Sequence, residues 1–140
     1  MGKIARGQSR PPSGKIPAAS PPQDELLRFS FKLLDLSNPK FSTSRCGSGY
    51  VDRFLRRLRD LSAIKVGEFR SNKSKAIRAH RIDFPSTTEP NGFASLNAQL
   101  REVAAWQFEI TVNEHGRVHG ILIDETFYVV WIDPEHRLYA

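Results

Sequence analysis

The chain has 140 residues, 39% of them hydrophobic, which is enough for one domain with a hydrophobic core. No apolar run approaches the roughly 18 residues needed to cross a membrane, and the basic N-terminus lacks the apolar segment of a secretory signal. We therefore expect no membrane partner. The single cysteine, Cys46, cannot form an internal disulfide, and with no export signal the cytoplasm is the predicted location.

The positive charge is concentrated in the middle of the chain. Residues 45–81 contain eleven Lys and Arg against three acids, whereas residues 82–140 contain three against nine. Residues 1–22 add four cations and no acid. The middle third is therefore the predicted electrostatic surface for a polyanion such as RNA.

Residues 1–24 are predicted to be a disordered, Pro-rich basic tail, and residues 25–140 a single α+β domain. Five of the nine prolines lie in the first segment, separated mostly by small or polar residues. A segment of this composition buries too little apolar area to offset the entropy of ordering it.

The first half of the domain is predicted to hold a strand and two helices. Alternation of apolar side chains predicts a strand over 26–36. A helix is predicted over 50–64, with Ser48 as its N-cap, and a shorter one over 62–69. The predicted buried stripe of the first helix consists of Val51, Phe54, Leu55, Leu58 and Leu61.

The second half is predicted to be richer in strands. A strand over 77–84 and a helix over 93–104 precede three β-rich runs joined by short polar turns. These runs predict an antiparallel meander. The elements together predict an α+β fold, with a mostly antiparallel sheet of four or five strands and two or three helices packed on it.

Polar positions in the meander could carry chemistry. Arg117 and His119 share one face of the middle strand, because side chains alternate with period two. This pair is either the floor of a site or the exposed face of a half-buried sheet. His136 and Tyr139, after the last strand, add a proton-transfer group and a phenol.

The histidines do not have the spacing of a metal site. His115 and His119 are separated by a turn, so their rings are not expected to converge, and the sequence has no cysteine pair or HExxH helix. We predict no metal and no cofactor. No nucleophile motif surrounds Cys46.

RNA cleavage without a metal needs a general base, a general acid and cations that stabilise the phosphorane. Side chains at the end of the sheet could fill these roles, and cations of the middle third could hold the substrate. The predicted catalytic residues are His136, Tyr139, Arg117 and His119. The predicted RNA-binding residues are Arg53, Arg57, Lys73, Lys75, Arg78, His80, Arg81 and Arg137.

The order of elements over residues 26–139 resembles that of the RelE/ParE-type toxins of bacterial toxin–antitoxin systems. The segments that carry the resemblance are Trp106-Gln-Phe-Glu-Ile-Thr, Arg117-Val-His-Gly-Ile-Leu-Ile-Asp124 and the run from Phe127 to Tyr139. The resemblance implies a RelE-like fold and a metal-independent endoribonuclease acting on mRNA, including ribosome-bound mRNA, with a cognate antitoxin as partner. By position, Arg117, His136 and Tyr139 would line the mRNA site.

Two other hypotheses remain open. The same fold could be a non-enzymatic module that binds RNA, DNA or an acidic protein through residues 45–81. Alternatively, it could be a host-interaction or structural protein of a mobile element, with the polar strand face as ordinary surface.

Overall fold

The computed structural model describes residues 24–72, 74–112 and 114–139. The strands are β1 (Arg28–Ser30), β2 (Ala79–Arg81), β3 (Ala105–Glu109), β4 (Arg117–Ile123) and β5 (Thr126–Asp133), and the helices are α1 (Tyr50–Leu61), α2 (Val66–Ser71) and α3 (Ala98–Arg101). Single 3-10 turns lie at Thr43–Arg45 and Phe84–Ser86. The predicted tail, 1–24, lies outside the described residues except for Asp24, whose carboxylate accepts a hydrogen bond from the Gly67 N–H at 2.9 Å.

The strands form one mixed sheet in the order β1-β5-β4-β3-β2. β1 and β5 run parallel, and the other neighbouring pairs are antiparallel. The predicted α+β class and the mostly antiparallel sheet are therefore confirmed. The predicted meander corresponds to β3, β4 and β5, whose register changes at a bulge between His119 and Gly120.

The sheet is covered on both faces. α1 and α2 bury Tyr50, Leu61 and Phe69 against one face. The opposite face is covered mainly by loops and by the segment after β5, and there Trp131 stacks on Phe41 with ring centroids 4.4 Å apart.

Several predicted elements are shorter than expected. The strand predicted over 26–36 is limited to β1, because the chain then turns and sends Leu33 and Leu34 into different cores. The helix predicted over 93–104 is reduced to α3, which starts where the Asn97 side chain accepts the Leu100 N–H. The strand predicted over 77–84 is reduced to β2, whose three residues lie in register with β3.

The buried face of α1 also differs from the prediction. Val51 and Leu55 are 66% and 58% exposed, whereas Arg57 is only 8% exposed. The Arg57 guanidinium donates to the carbonyls of Glu109 at 2.7 Å, Ala76 at 3.0 Å and Ile77. The helix starts after Gly49, so this glycine, with a φ of 79°, is the N-cap instead of the predicted Ser48. These contacts turn the arginine inward and leave one apolar flank of the helix in solvent.

Gly120 provides a test of the sheet. A Cβ at this position would overlap the Tyr128 carbonyl oxygen, so we expect Gly120→Ala to lower the free energy of unfolding by about 3 kcal/mol or more. Gly47→Ala is the matched control, because no atom lies within 4 Å of its built Cβ. Urea denaturation measures both, and equal midpoints for the two variants would contradict this packing.

Candidate functional site

A buried hydrogen-bonded pair, His119 and Asp133, joins β4 to the end of β5. His119 Nε2 lies 3.0 Å from Asp133 Oδ2, and both side chains are fully buried. Asp133 also accepts the backbone N–H groups of Arg137 at 2.8 Å and Leu138 at 3.0 Å. The pair therefore fastens the terminal segment, residues 134–139, to the sheet.

The protonation of this pair follows from its surroundings. Burial lowers the pKa of His119, and the bond to Asp133 offsets this only in part. Burial alone would raise the pKa of Asp133, but the hydrogen bonds from His119, Arg137 and Leu138 outweigh it and hold that pKa below its usual value. At neutral pH, a neutral imidazole thus donates Nε2–H to a carboxylate.

Acid should weaken the contact between His119 and Asp133 and so lower the stability of the protein. The folded-state pKa values of His119 and Asp133 both lie below their ordinary values, so the unfolded chain takes up protons before the folded protein does. The stability present at pH 8 is therefore lost as the pH falls below about 6.5, where His119 of the unfolded chain is protonated, and further below about 4, where Asp133 is. His119→Gln keeps a donor for Asp133 but removes the imidazole. We expect this variant to be less stable at pH 8 and to lose less stability between pH 7 and pH 5. Urea midpoints across this range measure the effect, and a flat wild-type profile would contradict the assignment.

A row of polar side chains crosses the same face of the sheet. The register places His80 opposite Gln107, and Gln107 opposite His119. The His80 Nε2 and Gln107 Nε2 atoms are 2.9 Å apart. Tyr139 packs edge-on against His80, and its hydroxyl accepts the Asp83 N–H at 3.2 Å. The structure therefore groups Tyr139 with His80.

A depression lies between the β3–β4 turn and the turn after β5. We call it the hairpin depression; it has a volume of about 370 Å³ and contains Arg117, His115 and His136. Among the described residues, its lining does not include His119 or Tyr139. Of the four predicted catalytic residues, the fold thus brings Arg117 and His136 around one open space. The full lining is Val112, Glu114, His115, Gly116, Arg117, Pro134, Glu135 and His136.

Backbone geometry at two turns creates this depression. Gly116 has a φ of 70°, and a Cβ there would overlap the Asp133 carbonyl oxygen. Only glycine allows this approach. On the other side, His136 has a φ of 56° and its N–H donates to the Asp133 carbonyl at 3.2 Å. The two turns are thereby held against each other at Asp133.

A second, larger space lies beside α1. We call it the arginine groove; it has a volume of about 500 Å³, and its described acidic lining residues are Asp60 and Glu68. Its five arginines are Arg53, Arg56, Arg57, Arg59 and Arg78. Arg57 is committed to backbone carbonyls, so Arg53, Arg56 and Arg59 are the arginines of α1 that can reach a ligand.

The remaining predicted RNA-binding residues are dispersed. His80 and Arg81 lie on the edge strand β2, and Lys75 is exposed in the turn before it. Arg137 lies in the terminal segment, 4.0 Å from Glu135. Lys73 lies outside the described residues.

Glu109 connects the two spaces. Its carboxylate lies 3.1 Å from Arg78 Nε in the groove and 3.4 Å from a terminal nitrogen of Arg117 in the depression. Thr111 lines the groove, and its hydroxyl lies 3.2 Å from His115 Nδ1. The groove and the depression therefore lie on either side of the β3–β4 turn.

Sequence reasoning missed three contributors to this region. Arg56 and Arg59 are not among the residues that the sequence predicts to bind RNA, and they pair with Asp52 and Asp60 respectively. His115 was considered only as a metal ligand. Its position next to Gly116, in the turn between two predicted strands, is the sequence signal that points to it.

The comparisons add no family to this description. Searches against protein-family models, curated proteins and solved structures found no match. Within residues 24–72, 74–112 and 114–139, no helix is long and apolar enough to span a bilayer. In the same residues, no three His, Cys, Asp or Glu side chains are grouped as metal ligands would be.

Proposed function

We propose that this protein is a metal-independent endoribonuclease that cleaves RNA at the hairpin depression. The observation that carries the proposal is that Arg117 and His136, distant in sequence, line one open depression. An imidazole exchanges protons near neutral pH, and a guanidinium neutralises a phosphate. A proton-transfer group and a cation in one accessible space are two of the components that RNA transesterification requires.

The roles follow from the contacts. His136 transfers a proton, and Arg117 stabilises the charge of the phosphorane. Arg117 is oriented by Glu109 at 3.4 Å and by the Gly116 carbonyl at 3.3 Å. His119 acts through Asp133, which holds the turn that carries His136, and is a positioning residue in this proposal.

The RelE resemblance supports an mRNA substrate. The order of elements, with a meander leading into a His-Arg-Leu-Tyr terminus, is the feature in common. On this proposal the protein works in the cytoplasm on mRNA, including ribosome-bound mRNA. A cognate antitoxin with an acidic segment would compete with RNA for the arginine groove.

Replacing His136 tests the activity. His136→Ala should reduce cleavage of single-stranded RNA by about 10²–10⁴-fold, because it removes one proton-transfer group. Gln99→Ala is the control, since it removes an exposed polar side chain of α3 that does not line the hairpin depression. Cleavage is measured on free RNA and on ribosome-bound mRNA, with and without EDTA. Full activity in folded His136→Ala would refute this role.

RNA binding without cleavage is a second candidate function. The specific observation in its favour is the arginine groove, where five arginines face two acids. Such an excess of cations attracts a phosphodiester backbone with little dependence on base sequence.

Salt dependence distinguishes the groove from other basic surface. Arg53→Gln, Arg56→Gln and Arg59→Gln together should flatten the log–log dependence of RNA affinity on salt, by about 0.7 for each lost phosphate contact. The control replaces Arg28, Lys32 and Arg101 with Gln, which removes the same charge from exposed positions outside the groove. Fluorescence anisotropy gives both slopes. Equal slopes in the two triple variants would place the RNA elsewhere.

A further inference from the structure

We propose that His115 is the general base of the hairpin depression, opposite His136 as general acid. The two imidazoles would cleave RNA to a 2′,3′-cyclic phosphate and a 5′-hydroxyl. This inference rests on the proposed function, because it assigns a further catalytic residue to the same site.

The first support is the placement of His115. It lines the hairpin depression together with Arg117 and His136. Its side chain is 18% exposed, and its ring lies 6.2 Å from the Tyr50 ring. The side chain is therefore partly enclosed but still accessible, as a group that contacts substrate must be.

The second support is the tautomer that the turn imposes on His115. The Thr111 hydroxyl has one hydrogen, which it donates to the Glu114 carbonyl. The same oxygen lies 3.2 Å from His115 Nδ1, so that contact needs Nδ1–H as the donor. In the neutral ring Nε2 then carries the free lone pair, which is the form a general base requires.

The third support is the contrast with His136. Its ring makes no hydrogen bond to another described residue, and the residue is exposed on the turn after β5. The charged groups around the two imidazoles are Glu114, Arg117, Asp133 and Glu135, and Glu135 is itself paired with Arg45 and Arg137. One ring is thus held in a single tautomer by the turn, and the other is exposed to solvent.

The chemistry balances without a further reactant. His115 Nε2 takes the proton from the 2′-hydroxyl, and O2′ forms a bond to phosphorus. The P–O5′ bond breaks, and protonated His136 gives its proton to the leaving O5′. Arg117 neutralises the added charge on the phosphorane. His115 is left protonated and His136 neutral, and proton exchange with water restores both.

The test uses His115→Gly. Residue 115 has a φ of 63°, which glycine adopts without strain, so the turn is expected to persist. Cleavage of a synthetic single-stranded RNA, free and bound to ribosomes, should fall by about 10²–10⁴-fold. Added imidazole should restore part of the activity to this variant. Its affinity for the same RNA carrying 2′-O-methyl groups, measured by anisotropy, should stay at the wild-type value.

The outcomes separate the two proposals. If the wild type cleaves RNA and His115→Gly is equally active, His115 is not the base and only this inference fails. A loss of activity that imidazole does not rescue, or a product ending in a 3′-hydroxyl, would also overturn it. If the wild type cleaves neither free nor ribosome-bound RNA, the proposed endoribonuclease function and the role of His115 both fail. His115→Asn, which tolerates the same backbone conformation, replaces the glycine variant if that variant does not fold.

Discussion

The carboxylate of Asp133 is the contact on which the rest of this structure depends. It lies at the end of β5, an inner strand of the sheet, and is surrounded by an imidazole and two backbone N–H groups. A buried charge is stable only when such donors replace its hydration. The backbone of the same residue contacts Gly116 and His136. One residue thus sets the end of the sheet, the terminal segment and one edge of the hairpin depression.

Arg57 has a comparable effect on the other face of the sheet. Its guanidinium donates hydrogen bonds to three backbone carbonyls, one in β3 and two in the turn before β2. Burial lowers its pKa to about 10 but leaves it charged at neutral pH. By fixing the rotation of α1, this buried arginine determines that Arg53, Arg56 and Arg59 border a groove. The buried Arg57 therefore determines where the exposed arginines of α1 can meet a ligand.

The parts of the fold that sequence predicted well are those with long local patterns. β4 and β5 are β-rich runs of seven and eight residues joined by a two-residue turn, so their pairing is encoded locally. β1 and α3 are too short to produce a pattern, and their ends are set by tertiary contacts. The prediction of the buried stripe of α1 was partly wrong, because an argument from periodicity treats arginine as polar surface and does not anticipate a buried guanidinium. The neighbourhood of Arg117 and His136 depends on the conformation of Gly116, which one sequence does not reveal.

The parallel pairing of β1 with β5 has a consequence for synthesis of the chain. Arg28 pairs with Thr126, so β1 cannot pair until β5, the last strand of the sheet, has been translated. The β3–β5 meander and α1 make local contacts and can form without β1, whereas closing a contact of such high sequence separation is slow. Until β1 pairs with it, β5 presents an unpaired edge along the part of the strand that contains Phe127 and Val129. During translation this unpaired edge is open to aggregation or to capture by a chaperone.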